Sequence, residues 1–172
     1  MIARPSVLCG RFDQTKQLVG IKKPLASNGR FCVIADKGVL WRSLYPFPNT
    51  LRLTRDEIVQ FQQDRVTLRL DAKQEPTVRV INSMLFAVLA GDLSRLESMF
   101  EADGAIHDNS WTVTFKAREA ALAKVINTIA LAGDAYVKTV NISEASGDRT
   151  AIVFSGIETG DGALKKDEAA LF

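Results

Sequence analysis

A chain of 172 residues, 47% hydrophobic and 24% charged, is long enough to bury a core without staples and too balanced in composition to be disordered. Its formal net charge of +2 comes from acids and bases dispersed along the sequence, which excludes a concentrated field suited to nucleic acid. No apolar run approaches the roughly 18 residues of a spanning helix, the longest being Met84 to Ala90.

Met1 to Pro5 lacks the basic, apolar and small-residue pattern of a secretory signal. At this point the alternatives are a cytosolic protein or one whose signal precedes this numbering. Residues 7 to 14 and 27 to 34 read as a hairpin turning near Gly20 and Ile21. That register sets Cys9 opposite Cys32, Arg11 opposite Arg30, Leu8 opposite Val33 and Gly10 opposite Phe31. Opposed antiparallel residues have a Cα separation that admits a disulfide, so Cys9 and Cys32 are a candidate pair in an oxidising compartment. The alternative is two small buried thiols.

Period-two alternation continues downstream and predicts half-buried strands. Phe31, Val33 and Ala35 share a face, as do Val39 and Trp41. Leu51 and Leu53 bracket Arg52, and Val66, Leu68 and Leu70 interleave with Thr67, Arg69 and Asp71. The period then changes. Val78, Ile81, Met84, Leu85, Val88 and Leu89 follow helical spacing after Pro76, and Gly91 ends that helix. Asp92 reads as the N-cap of a shorter helix carrying Leu93, Leu96, Met99 and Phe100.

The turn Asp108-Asn109-Ser110 precedes a strand with Trp111, Val113 and Phe115 on one face, and Ala117 to Val125 favours a helical turn or two. The turn residues 145–149 predict a last hairpin with Ile142 opposite Ile152 and Val140 opposite Phe154. Beyond Gly160 the chain reads as a loose tail, residues 159–172.

About ten strands with short inserted helices predict a single α+β domain over 1–172, mainly antiparallel β. The sheet curls strongly into an incomplete β-barrel closed by a short helical lid. The inward set is Phe12, Phe31, Val33, Trp41, Leu51, Leu53, Leu68, Leu70, Trp111, Val113, Phe115, Val140, Ile142, Ile152 and Phe154, with Ile81, Met84, Leu85 and Val88 as the lid face. Periodicity alone is equally consistent with these side chains filling an ordinary core.

Catalytic chemistry is not signalled. His107, the single histidine, sits beside a polar turn, and with two cysteines and no histidine partner there is no zinc spacing. Neither a nucleophile elbow nor a phosphate loop occurs. The acid pairs Asp56 with Glu57 and Glu101 with Asp103 read as solvated charges. The expectation is a protein without enzymatic activity, cofactor or metal.

A more specific signal lies in the order of several segments. Gly10-Arg11-Phe12-Asp13-Gln14, then residues 24–31 (PLASNGRF), Gly38-Val39-Leu40-Trp41-Arg42 and Tyr45-Pro46-Phe47 resemble the strands of LolA-type lipoprotein carriers. The similarity continues through Leu89-Ala90-Gly91-Asp92-Leu93, Trp111 with Phe115, residues 129–134 (IALAGD) and residues 144–150 (EASGDRT). This resemblance implies a half-barrel with a helical lid, located in the periplasm, that carries acylated lipoprotein or lipid between an inner-membrane donor and an outer-membrane acceptor. It implies a chaperone that shields acyl chains; a monomer that binds no nucleic acid is the accompanying expectation.

Two departures from the family pattern stand out. Where carriers have an Arg-Pro pair whose arginine latches the lid, this chain reads Asp36-Lys37-Gly38, so Lys37 is the candidate latch and lacks the planar fork of donors. The helix ahead of the first strand is reduced to Met1 to Ser6. These departures leave open a free lipid or polyene-type acyl cargo linked to a membrane exporter. A protein-interaction module with a filled core is the reading from a different class.

Overall fold

A computed structural model describes residues 5–54, 56–71, 87 and 93–172. The strands are β1 (Val7–Gln17), β2 (Leu25–Ile34), β3 (Gly38–Tyr45), β4 (Asn49–Leu53), β5 (Glu57–Gln62), β6 (Arg65–Asp71), β7 (Phe100–His107), β8 (Ser110–Ala117), β9 (Ile126–Gly133), β10 (Val137–Glu144) and β11 (Arg149–Thr159). They form one 11-stranded antiparallel sheet in the order β6-β5-β4-β3-β2-β1-β11-β10-β9-β8-β7. Each half of the chain is a meander, and the two halves join where β1 pairs with β11. The edges β6 and β7 do not pair with each other, so the sheet is open.

Of the expected α+β class, mainly antiparallel β, the sheet is present and the described residues carry little helix. Among the described residues, helix is confined to the turns α1 (Ala120–Ala123) and α2 (Lys166–Ala169), two 3₁₀ turns and Ala87. The helix expected over 77–89, with the lid residues Ile81, Met84, Leu85 and Val88, lies outside the described residues. The shorter helix expected through Phe100 is one 3₁₀ turn, Leu93–Leu96. Phe100 instead opens β7, because it pairs with Ala117 in a register that runs to His107 opposite Ser110.

The first hairpin has the expected register, with Cys9 opposite Cys32 and Arg11 opposite Arg30. The last is displaced by two residues, so that Val140 faces Ile152 and Ile142 faces Thr150. Its turn is tighter than expected: the Glu144 N–H donates to the Asp148 carbonyl at 2.9 Å, and Gly147 takes a φ of 98°. An even displacement keeps every side chain on its predicted face.

Glycines and bulges bend the sheet. Gly29 lies between Phe12 on β1 and Ser43 on β3, at a register shift, and a Cβ there would meet the Arg42 carbonyl oxygen at 1.9 Å. With no side chain in between, the Phe12 and Trp41 rings stack over it at 3.8 Å. Gly133 acts similarly beneath Trp111, whose Cζ2 lies 3.0 Å from the position of an added Cβ.

Two apolar layers result. The larger covers the inner face and contains Phe12, Phe31, Val33, Leu53, Phe115, Val140 and Phe154, with Ala87, Leu96 and Phe100 packed on it. The smaller lies on the outer face, where Val7, Cys9, Cys32, Ile34 and Leu40 meet Ala163, Leu164, Leu171 and Phe172. The segment expected as a loose tail, residues 159–172, is therefore docked on the back of the sheet.

Charge explains why the tail settles there. Arg11, Arg30 and Arg42 are directly opposed on β1, β2 and β3, an alignment of like charges that is unfavourable by itself. Glu168, 2% exposed, accepts from Arg30 Nε at 2.9 Å and Nη2 at 3.0 Å, while Asp167 pairs with Arg42 at 3.2 Å. Burial pushes the Glu168 carboxyl up, but the Arg30 hydrogen bond and the Lys165 N–H outweigh it and hold the group below its ordinary range. The same hydrogen bond raises Arg30.

Candidate functional site

The inner face is the candidate site. By register, every predicted inward residue lies on it, since Leu70 opposes Ile58 and Leu68 opposes Gln60 on the same side. Leu68 and Leu70 nevertheless stand apart from the buried cluster. They are on edge strand β6, where Gln60 makes the face polar and Leu68 is exposed. The other predicted residues join the cluster as buried or half-buried members.

Most of this face is filled, and one end of it is open. On β1, β2, β3 and β11 the aromatic side chains fill space: Phe31 lies 4.9 Å from Phe154 and Trp41 meets Phe154 edge-on at 6.2 Å, beside the Phe12–Trp41 stack. At the end of β7 to β11, by the 108–109 and 134–136 turns, an open cleft of about 860 Å³ is lined by Ile106, Trp111, Tyr136 and Ile157 and by polar groups that include Asp108, Asp134 and Lys138. Trp111 is half-buried and fixed by its Nε1–H, which donates to the Asp134 carbonyl at 2.7 Å. One end of its ring is therefore satisfied while its face borders the cleft.

Ile106, Tyr136 and Ile157 were not in the predicted set. Ile106 opposes Trp111, so it shares the inner face, and alternation along residues 102–106 would have found it. Tyr136 follows a turn closed by the Asp134 carboxylate, which accepts the Tyr136 N–H at 3.2 Å. That interaction holds the Asp134 carboxyl low, with Lys138 adding to the effect. Ile157 is brought round by the register shift between β1 and β11, which simple alternation does not reveal.

Lys37 is exposed in the β2–β3 turn, and any contact it makes with residues 77–92 lies outside the described residues. His107 is exposed at the end of β7. Cys9 and Cys32 are joined in a disulfide with a Cα separation of 4.1 Å. Glu168 lies within 4.8 Å of both sulfurs, but the disulfide leaves this trio no thiolate pair to offer a metal. Among the described residues, the helices include none long and apolar enough to cross a membrane.

The family of outer membrane lipoprotein carrier proteins described as LolA-like matches residues 1–171. No match was found among curated proteins. Solved structures similar to this chain include a LolA superfamily protein, NE2245, from Nitrosomonas europaea, with 9% identity, a TM-score of 0.49, and coverage of 96% of this chain and 93% of that one. Another is a putative outer membrane lipoprotein-sorting protein domain from Vibrio parahaemolyticus, at 8% identity and a TM-score of 0.45, covering 94% and 88%. A third is the MucA/MucB complex of Pseudomonas aeruginosa, at 15% and 0.44, covering 95% of this chain and 55% of that one. The match over nearly the whole sequence decides the assignment: this chain belongs to the LolA-like family of outer membrane lipoprotein carriers, a family of carriers rather than enzymes.

Proposed function

We propose that the chain is a periplasmic carrier that shields the acyl chains of lipoproteins or related lipids between the inner and outer membranes. The observation that carries this reading is the apolar inner face running into an unfilled cleft of about 860 Å³ beside Trp111. That volume falls within the roughly 300–1,000 Å³ of ordinary ligand sites. Each methylene withdrawn from water contributes about 0.8 kcal/mol, so an unshielded acyl chain would not leave a bilayer unaided. An open sheet with half-buried Trp111, Val113 and Ile142 supplies apolar surface that a guest can cover and later vacate.

The filled aromatic cluster near Phe12 and Trp41 favours entry at the open end beside Trp111. Release to a higher-affinity acceptor then requires only that the chain slide out of the open end. A hydrophobic fluorescent probe tests the reading: saturable binding, displaced by a triacylated lipopeptide and weakened about tenfold by Trp111→Ala, supports it. Absence of saturable binding returns the protein to a module with a filled core.

A further inference from the structure

The strand register sorts the turns between two ends of the sheet. Lys16 opposes Leu25, Gln17 opposes Arg149 and Ser43 opposes Asn49, so turns 18–24, 46–48 and 145–148 share one end. Ile34 opposes Gly38, His107 opposes Ser110 and Val137 opposes Gly133 at the other.

The two ends differ in chemistry. At the far end the turns are polar, exposing Asp36, Asp56, Asp108 and Asp134 together with Lys37 and Lys138. At the near end, residues 19–26 and 44–48 are exposed without interruption. They include Val19, Ile21, Leu25, Leu44, Tyr45 at 60% exposure and Phe47 at 75%, with Lys22 and Lys23 among them. These apolar tips are held in place: the Val19 N–H donates to Asp148 Oδ1 at 2.9 Å, and Gln17 Nε2 donates to the Ile21 carbonyl. Aliphatic and aromatic groups clustered at one end and accompanied by lysines are costly in water and suited to a surface both apolar and anionic.

We propose that this end docks on a bilayer containing anionic phospholipid, with Phe47, Tyr45 and Ile21 entering the interfacial layer and Lys22 and Lys23 meeting headgroup phosphates. Two basic residues set among exposed apolar tips match an anionic bilayer surface, which attracts lysine and arginine alike. The inference goes beyond the carrier reading: it places a membrane contact at the end of the sheet opposite the Trp111 cleft, and its test does not depend on that reading.

The test is cosedimentation of the whole chain with vesicles of phosphatidylcholine alone or mixed with phosphatidylglycerol. Binding is expected to the mixed vesicles, to fall about tenfold with Lys22→Glu/Lys23→Glu and to fall with added salt. Phe47→Ser, at an exposed site, is expected to weaken binding to the mixed vesicles several-fold while leaving the thermal midpoint unchanged. Failure of the unaltered protein to bind the mixed vesicles overturns the proposal and assigns this end to a protein partner, and so does binding indifferent to both variants. A protein that binds vesicles but no hydrophobic probe keeps its docking surface and loses the carrier reading. One that binds probe but no vesicle does the reverse.

Discussion

Replacing Glu168 with alanine measures how far charge, beyond packing, fastens the tail to the sheet. The carboxylate is 2% exposed and meets Arg30 through two hydrogen bonds, at 2.9 and 3.0 Å, while Arg30 Nη2 also donates to the Ala163 carbonyl at 2.6 Å. Removing one partner of a buried pair costs about 3–5 kcal/mol because the other charge is stranded. Arg30 is 18% exposed and keeps its Ala163 bond, so the expected loss is lower, about 2–3 kcal/mol. At about 2–4 °C per kcal/mol for a chain of this size, the thermal midpoint should fall by roughly 4–12 °C. Urea denaturation followed by tryptophan fluorescence and circular dichroism reads the same change as a lower midpoint at nearly constant slope. The double variant Arg30→Met/Glu168→Leu, which strands no charge, should recover most of the loss. A Glu168→Ala change below about 0.5 kcal/mol, typical of an ordinary surface site, would refute the picture of a charge-fastened tail.

Three further outcomes follow from the same structure. Glu168 has a lowered carboxyl in the folded state, so its stabilisation is present above the unfolded carboxylate range and lost as pH falls through the folded one. Between about pH 5 and 3, Glu168→Gln should therefore flatten the acid limb of stability against pH. Cys9→Ala/Cys32→Ala opens a cross-link spanning 23 residues, which chain entropy values at about 3 kcal/mol; an equal urea midpoint with and without the bond would contradict this. Gly29→Val places a side chain where a Cβ already meets the Arg42 carbonyl at 1.9 Å, and should destabilise the protein by about 2–4 kcal/mol in the same assay.

Strand faces were legible in the sequence because period two is local: the register of Cys9 with Cys32 and the inward set from Phe12 to Phe154 need only alternation and a turn position. What alternation could not supply were features set by distant contacts. The C-terminal segment looked loose because its few apolar residues, Ala163, Leu164, Leu171 and Phe172, cannot form a core alone. They pack only because β1, β2 and β3 present an outer apolar strip and an arginine row. Phe100 carried helical spacing yet joins β7, since pairing with β8 supplies the backbone partners that one helical turn would lack. Ile157 entered the site through a bulge, and a bulge reverses the face that alternation assigns. The cleft was illegible for a different reason: periodicity tells which side chains face inward, not whether they touch. The structure gives a filled inner face that opens only at the end beside Trp111 and Tyr136, a distinction that alternation does not carry.

Native mass spectrometry of the protein mixed with a triacylated lipopeptide examines the carrier assignment most directly. A one-to-one adduct is predicted with the acylated peptide, and none with the same peptide lacking its acyl chains. Equal adducts with both peptides, or none with either, would contradict a role in sheltering hydrocarbon.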